Sequence, residues 1–125
     1  IDKSVKKLIK EEEKFGIKNF KTYQDFGEKV YKIRENVIKN LKDLKKNGQI
    51  IVGYGAPAKA TTALNFFGIK KEIDYIVEDN KLKHKKFVPG VKIPIYSKDK
   101  ILKKKPLILV LAWNFYDEIK KIILK

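Results

Sequence analysis

Two glycines in Gly53-Tyr-Gly-Ala-Pro-Ala58, a lysine at 59 and an acidic pair at 78–79 are the residues of this chain whose types and spacing suit a chemical task. The glycines permit a tight turn in which backbone N–H groups converge. A helix starting near Pro57 adds its own unpaired N–H groups at the same spot, and such a turn favours an anion such as a phosphate. The run has the G-x-G-x-x-G/A form of a dinucleotide fingerprint, with Ala58 in third place. A cation in a first helical turn opposes the macrodipole by up to ~1 kcal/mol unless an anion lies nearby, so Lys59 points the same way. Thr61 and Thr62 carry hydroxyls that can donate to phosphate. Asp79 can accept a ribose or sugar hydroxyl, and Trp113 offers a flat face for stacking on a base or sugar. Asn114, a polar amide just past an apolar strand, either bonds a ligand or caps the last helix. The candidate binding set is Gly53, Tyr54, Gly55, Ala56, Pro57, Lys59, Thr61, Asp79, Asn80, Trp113 and Asn114, with no catalytic residue and no metal ligand. Plainer accounts stand beside these: a simple tight turn, one more surface lysine, a turn aspartate, a core tryptophan. His84 lies among lysines and is read as a solvated surface histidine.

The elements that must position these residues follow from periodicity. Residues 50–54 are continuously apolar, as expected of a parallel strand covered on both faces. A helix over 57–67 follows, with Pro57 in its first turn and Gly68 as its stop. A second strand over 73–77 ends at Glu78-Asp79-Asn80, a short strand lies within 91–96, and a further strand covers 107–112 before a helix over 115–124. Ahead of these, residues 3–14 form a short charged helix stopped by Gly16. A long helix runs from a Thr22–Asp25 capping box to about 47. Its stripe of Phe26, Val30, Ile33, Val37, Leu41 and Leu44 keeps helical spacing and should pack on the sheet or on a neighbouring domain. Strands alternating with helices predict an α/β fold: a doubly wound, mostly parallel sheet of three to five strands with right-handed crossovers. Its ligands should sit beyond the carboxyl ends of the strands.

Composition sets the outer limits. The 125 residues suffice for one domain. There is no cysteine and one histidine, which excludes disulfides, thiolate metal sites and two-histidine mechanisms. No signal peptide or membrane span is visible, and residue 1 is not Met; the chain is expected to be a piece of something longer, cytoplasmic and not membrane-bound. The formal charge of +15 raises a nucleic-acid module as one alternative. Only Arg34 among the 30 basic residues is an arginine, however, and the lysines are spread over the whole length. No specific nucleic-acid partner is expected. The glycine run raises a second alternative, an NAD-type domain of an oxidoreductase. Lys59 and the missing third glycine speak against it.

The same residues carry a family resemblance. Gly53-Tyr-Gly-Ala-Pro-Ala-Lys-Ala-Thr-Thr62, Leu64-Asn-Phe-Phe-Gly68, Val77-Glu-Asp-Asn80, Phe87-Val-Pro-Gly-Val-Lys-Ile-Pro-Ile95 and Leu109-Val-Leu-Ala-Trp-Asn-Phe-Tyr-Asp-Glu-Ile119 are similar to segments of the C-terminal domain of S-adenosylmethionine-dependent sugar C-methyltransferases. Residues 11–16 and 22–26 look similar too, so the likeness covers nearly the whole chain. The family often has Pro where this chain has Lys81 and Gly where it has Lys85. The resemblance implies a single Rossmann-like domain over residues 1–125, with 1–48 a helical lead-in and 49–125 the α/β core. It also implies a larger parent, in which zinc and S-adenosylmethionine belong to portions outside this chain. There a base removes a proton beside a sugar keto group, and the resulting carbon nucleophile attacks the donor methyl. This chain would bind the nucleotide-diphosphate sugar, pack on the parent's methyl-donor domain and be inactive alone. His84 does not match the family's catalytic histidine.

Overall fold

The computed structural model describes residues 2–103 and 105–124. Two compact units are present, one up to Asn36 and one from Val37 onward.

The first unit is helical. α1 (Lys3–Phe15) starts where the Asp2 carboxylate accepts the Ser4 N–H, and ends at Gly16, whose φ of 86° lets its N–H reach back to the Glu12 and Glu13 carbonyls. α2 (Phe20–Lys46) begins two residues before the expected box. Asn19 makes the cap, its side-chain oxygen accepting the Lys21 N–H at 2.9 Å, while the Thr22 hydroxyl donates to the Gly16 carbonyl instead. The expected stripe on α2 divides. Val37, Leu41 and Leu44 join the core of the second unit, whereas Phe26 and Ile33 are exposed.

The second unit is a parallel sheet of β1 (Ile51–Tyr54), β2 (Tyr75–Val77), β3 (Ile95–Tyr96) and β4 (Leu107–Val110), in the order β3-β2-β1-β4. α3 (Ala58–Phe67) connects β1 to β2, and α4 (Tyr116–Ile123) follows β4. Alternation along β1 sends Ile51 to one face, among Leu41, Ala60 and Leu64. It sends Val52 and Tyr54 to the other, with Ile119. Both faces are therefore covered by helices, which explains the unbroken apolar character of the strands and makes the fold the α/β, Rossmann-like one expected.

The strands are shorter than their apolar runs, for local reasons. β2 starts late because the Asp74 carboxylate, not a main-chain carbonyl, takes the Ile51 N–H at 2.8 Å. Lys45 binds the same carboxylate at 2.8 Å. β4 stops early because the N–H groups of Leu111 and Ala112 both turn to the Tyr54 carbonyl. Between β2 and β3, residues 88–92 fold into a turn held by Val88–Ile93 and Lys92–Val88 main-chain bonds. Asn65 on α3 clasps this turn, its amide donating to the Pro89 carbonyl at 3.0 Å. That contact accounts for two of the motif segments, Leu64-Asn-Phe-Phe-Gly68 and the Pro89-Gly90 turn, as one structural joint.

Lys85 has a φ of 61°, in the left-handed region, where its N–H bonds the Ile95 carbonyl. This is one of the two positions where the sequence departs from the family pattern, and glycine is the residue with no steric penalty there. The left-handed conformation costs an L residue about 1–2 kcal/mol, and the extra chain entropy of glycine takes back about 0.5–1 kcal/mol. Lys85→Gly is therefore expected to stabilise the chain by roughly 0.5–1 kcal/mol, read as a higher urea midpoint. A lower midpoint would contradict this account of the turn.

Candidate functional site

The order of the sheet reverses between β1 and β4: the chain steps from β1 out to β3, then returns to the far side of β1. Ligands of doubly wound sheets bind at such a point, beyond the carboxyl ends of the strands. A crevice of about 370 Å³ lies there. The segments after β1 and β4 supply Gly55, Pro57, Ala112 and Phe115. The end of β2 supplies Glu78 and Asp79, the following loop Lys83, and α4 supplies Glu118, Ile119 and Ile122.

The turn after β1 has the predicted shape. Gly55 has a φ of 90°, and a Cβ there would meet the Ala112 Cβ at 2.6 Å. Gly53 serves packing, since a Cβ on it would strike Leu111 and Ile76. It is not part of the crevice lining. Pro57 sits one residue ahead of the helix, at the cap position.

The amides of this turn are not open to an outside anion, contrary to the expectation. The Gly55 N–H bonds the Val77 carbonyl at 2.8 Å. The Ala56 N–H bonds the Glu78 carboxylate at 2.8 Å. Glu78 is mostly buried and also accepts from the Asn80 N–H and the Lys83 ammonium. Lys83 in turn donates to the Ala56 carbonyl at 3.0 Å. Burial pushes the Glu78 carboxyl up, but the two main-chain N–H groups and Lys83 outweigh it and hold the group below its ordinary value. The anion that satisfies the turn is thus the protein's own. A phosphate beside that carboxylate would be repelled by it, and the Lys83 charge that could offset the repulsion is already paired.

Tyr54 lies on the crevice floor, nearly inaccessible, with its hydroxyl donating to Asp79 at 3.2 Å. Burial first, then the charge and hydrogen bond of Asp79, push the phenol up to about 12, so it is a proton-bearing donor. The other Asp79 oxygen pairs with Lys98 at 3.0 Å. Asn80 caps the 3-10 turn Lys81–Lys83 by accepting the Leu82 N–H. His84 is partly buried rather than fully solvated: its Nε2 lies 2.7 Å from the Glu78 carbonyl, a contact that makes Nε2 the proton-bearing nitrogen.

Beside the crevice mouth, the Lys59 ammonium lies 4.3 Å from the centre of the Trp113 ring. Trp113 is half exposed, so it is no core residue. Pro57 and Phe115, two residues before Lys59 and two after Trp113, line the crevice itself. Among the described residues, no acceptor meets the N–H of Ala58 or Lys59, the first two positions of α3. Thr61 is partly buried and its carbonyl accepts from Asn65. Asn114 is exposed and does not cap α4, whose cap position is Phe115 with no side-chain bond.

Of the candidate set, Tyr54, Gly55, Pro57 and Asp79 thus meet in the crevice, and Lys59 and Trp113 meet at its edge. Gly53, Ala56, Thr61, Asn80 and Asn114 are outside its lining. Sequence reasoning missed Lys83, Ala112, Phe115, Glu118, Ile119 and Ile122, and left Glu78 out of the candidate set although it marked the acidic pair. The acid on the first turn of α4 and its apolar neighbours carried only the signal of an ordinary amphipathic helix.

A four-stranded parallel sheet with helices on both faces, a glycine turn after its central strand and a crevice at the point of reversal define a Rossmann-like α/β domain. The chain belongs to the C-methyltransferase C-terminal domain family, whose pattern matches residues 1–123. It is similar to the C-methyltransferase NovU of Streptomyces niveus, 31% identical over 118 residues, a stretch that is 93% of this chain and 28% of that protein. The chain spans less than a third of the curated relative it matches. The zinc that the resemblance implies has no ligand set here: the chain has no cysteine, and among the described residues no three metal-binding side chains converge. No helix among the described residues is long and apolar enough to cross a membrane.

Proposed function

We propose that this chain is the substrate-binding domain of a C-methyltransferase acting on a nucleotide-linked sugar, and that it positions the substrate without performing the chemistry. The observation that carries the reading is the edge of the crevice. There a lysine ammonium lies over a half-exposed indole ring, beside two helix N–H groups that no described residue accepts. Lys59 supplies charge to a diphosphate, α3 supplies its N-terminal dipole, and Trp113 offers a stacking face. The diphosphate site accordingly moves from the glycine turn to the start of α3, because Glu78 holds the turn. Positioning of this kind can supply a large share of a rate enhancement.

The parent's other portions would hold S-adenosylmethionine and a zinc ion. Zinc-bound thiolates persist in a reducing compartment, so the cytoplasm is the setting that goes with this reading. The surface for the methyl-donor domain would include the first unit, where Phe15, Phe20, Tyr23 and Phe26 are exposed and α1 buries no side chain.

Calorimetric titration with a nucleotide-diphosphate sugar tests the proposal. Lys59→Ala should weaken binding about tenfold, as removal of one charge-assisted contact does. Trp113→Ala should weaken it by roughly 5- to 30-fold if a base or sugar stacks there. Unchanged affinity in both variants would refute the site.

A further inference from the structure

The crevice has the opposite character to the edge beside it. In a chain of formal charge +15, its lining holds three carboxylates, Glu78, Asp79 and Glu118, against one ammonium, Lys83. Lys83 is already given to Glu78 and the Ala56 carbonyl. α4 and the residue before it add an apolar wall of Phe115, Ile119 and Ile122, with Glu118 standing among them. Its volume, about 370 Å³, falls within the range of about 300–1,000 Å³ that small-molecule sites occupy.

The free capacity of the lining is for hydrogen-bond donors. Asp79 accepts from Tyr54 and Lys98, one bond on each oxygen, and a carboxylate has about four lone-pair sites. Glu118 has no ion pair among the described residues. Carboxylates at the β2 end and on α4, with aromatic and aliphatic side chains beside them, suit a ring with hydroxyls on its rim and C–H groups on its face.

We infer that the crevice is a subsite for an uncharged, hydroxylated ring, and that the phosphates of the same ligand stay outside it, at Lys59 and Trp113. The inference rests on the function proposed above and assigns the parts of that ligand to different places. A ring of this chemistry is present twice in a nucleotide sugar, as the hexose and as the ribose. Ring hydroxyls donate to Asp79 and Glu118, and the ring face lies against Phe115. Phosphate is kept out because Glu78 occupies the turn amides and the other two acids repel it.

The test titrates the intact protein with three probes: a nucleoside diphosphate hexose, the same nucleoside diphosphate, and the nucleoside alone. The variants are Asp79→Asn, which keeps an acceptor for Tyr54, and Glu118→Gln, which is exposed and leaves the fold intact. Lys59→Ala serves as the reference for the edge. Weakening of the hexose-bearing probe by about tenfold in either acid variant, with the diphosphate unchanged, supports the inference and identifies the hexose as the ring. Equal weakening of all three probes supports it with the ribose as the ring. No change in any probe, or tighter diphosphate binding to the acid variants, overturns it while the nucleotide-sugar function stands. If neither phosphorylated probe binds but the nucleoside binds and is weakened by Asp79→Asn, the proposed function falls and the ring subsite stands. No binding of any probe overturns both.

Discussion

Gly55→Ala should lower stability by roughly 3 kcal/mol and shift the urea midpoint down by about 1–3 M. Two effects add at this position. The φ of 90° places an added side chain in a conformation that costs an L residue about 1–2 kcal/mol. The new Cβ would also lie 2.6 Å from the Ala112 Cβ and 3.3 Å from the Ala112 nitrogen. Neither atom is the end of a flexible side chain, so main chain has to move, and overpacking of this kind costs about 1–3 kcal/mol. The Ala112 N–H is bound to the Tyr54 carbonyl, so the movement strains that bond as well. A midpoint within about 0.3 M of the parent chain would show that the turn is looser than described.

Glu78→Ala should cost about 2–3 kcal/mol. The carboxylate accepts from two main-chain N–H groups, and the Ala56 N–H is partly buried with no other acceptor among the described residues. Leaving such groups without partners accounts for most of the loss. The Lys83 pair adds less, because the lysine side chain is more than a third exposed and its ammonium can turn to water. The effect also has a pH signature. The Glu78 carboxyl is held below its ordinary value in the folded chain, so its contribution is complete above the unfolded value of 4.5. The contribution fades as pH falls from there through the folded value. The midpoint difference between parent and variant should therefore be constant near neutrality and shrink in acid. A difference that persists undiminished well below pH 4 would mean that the charge of Glu78 is not what the turn depends on.

Periodicity alone made the fold legible. The continuous apolar runs at 50–54 and 107–112 are β1 and β4 with their first residues correctly placed to within one, because buried parallel strands have no polar face to confuse the pattern. The ends of strands were less legible, since they depend on which partner a main-chain group finds. Asp74 and the Tyr54 carbonyl decided where β2 and β4 begin and stop, and neither choice leaves a mark in local sequence. The glycine turn was legible as a turn, from its two glycines. Its electrostatic state was not, because the residue that occupies it lies 22 positions away, just past the end of another strand. Glu78 and Asp79 are adjacent and chemically alike, yet strand geometry sends one inward to the turn and the other toward Tyr54 and Lys98. His84 was misread for the same reason, its partner being the Glu78 carbonyl. Lys85 is left-handed at a position where the resembled family often has Gly; Lys92, also left-handed, carried no such sign.

The two acids that bracket β2 have a mechanical consequence. A strand of three residues has few rungs of its own to fix its alignment. Asp74 pins its leading end to the start of β1, and Glu78 pins its trailing end to the residue two past β1's end. Sliding either strand by one residue would break both pins together and turn every side chain to the wrong face. The pair is therefore riveted, and the ends of β1 and β2 that bring Gly55, Glu78 and Asp79 to the crevice keep one fixed offset.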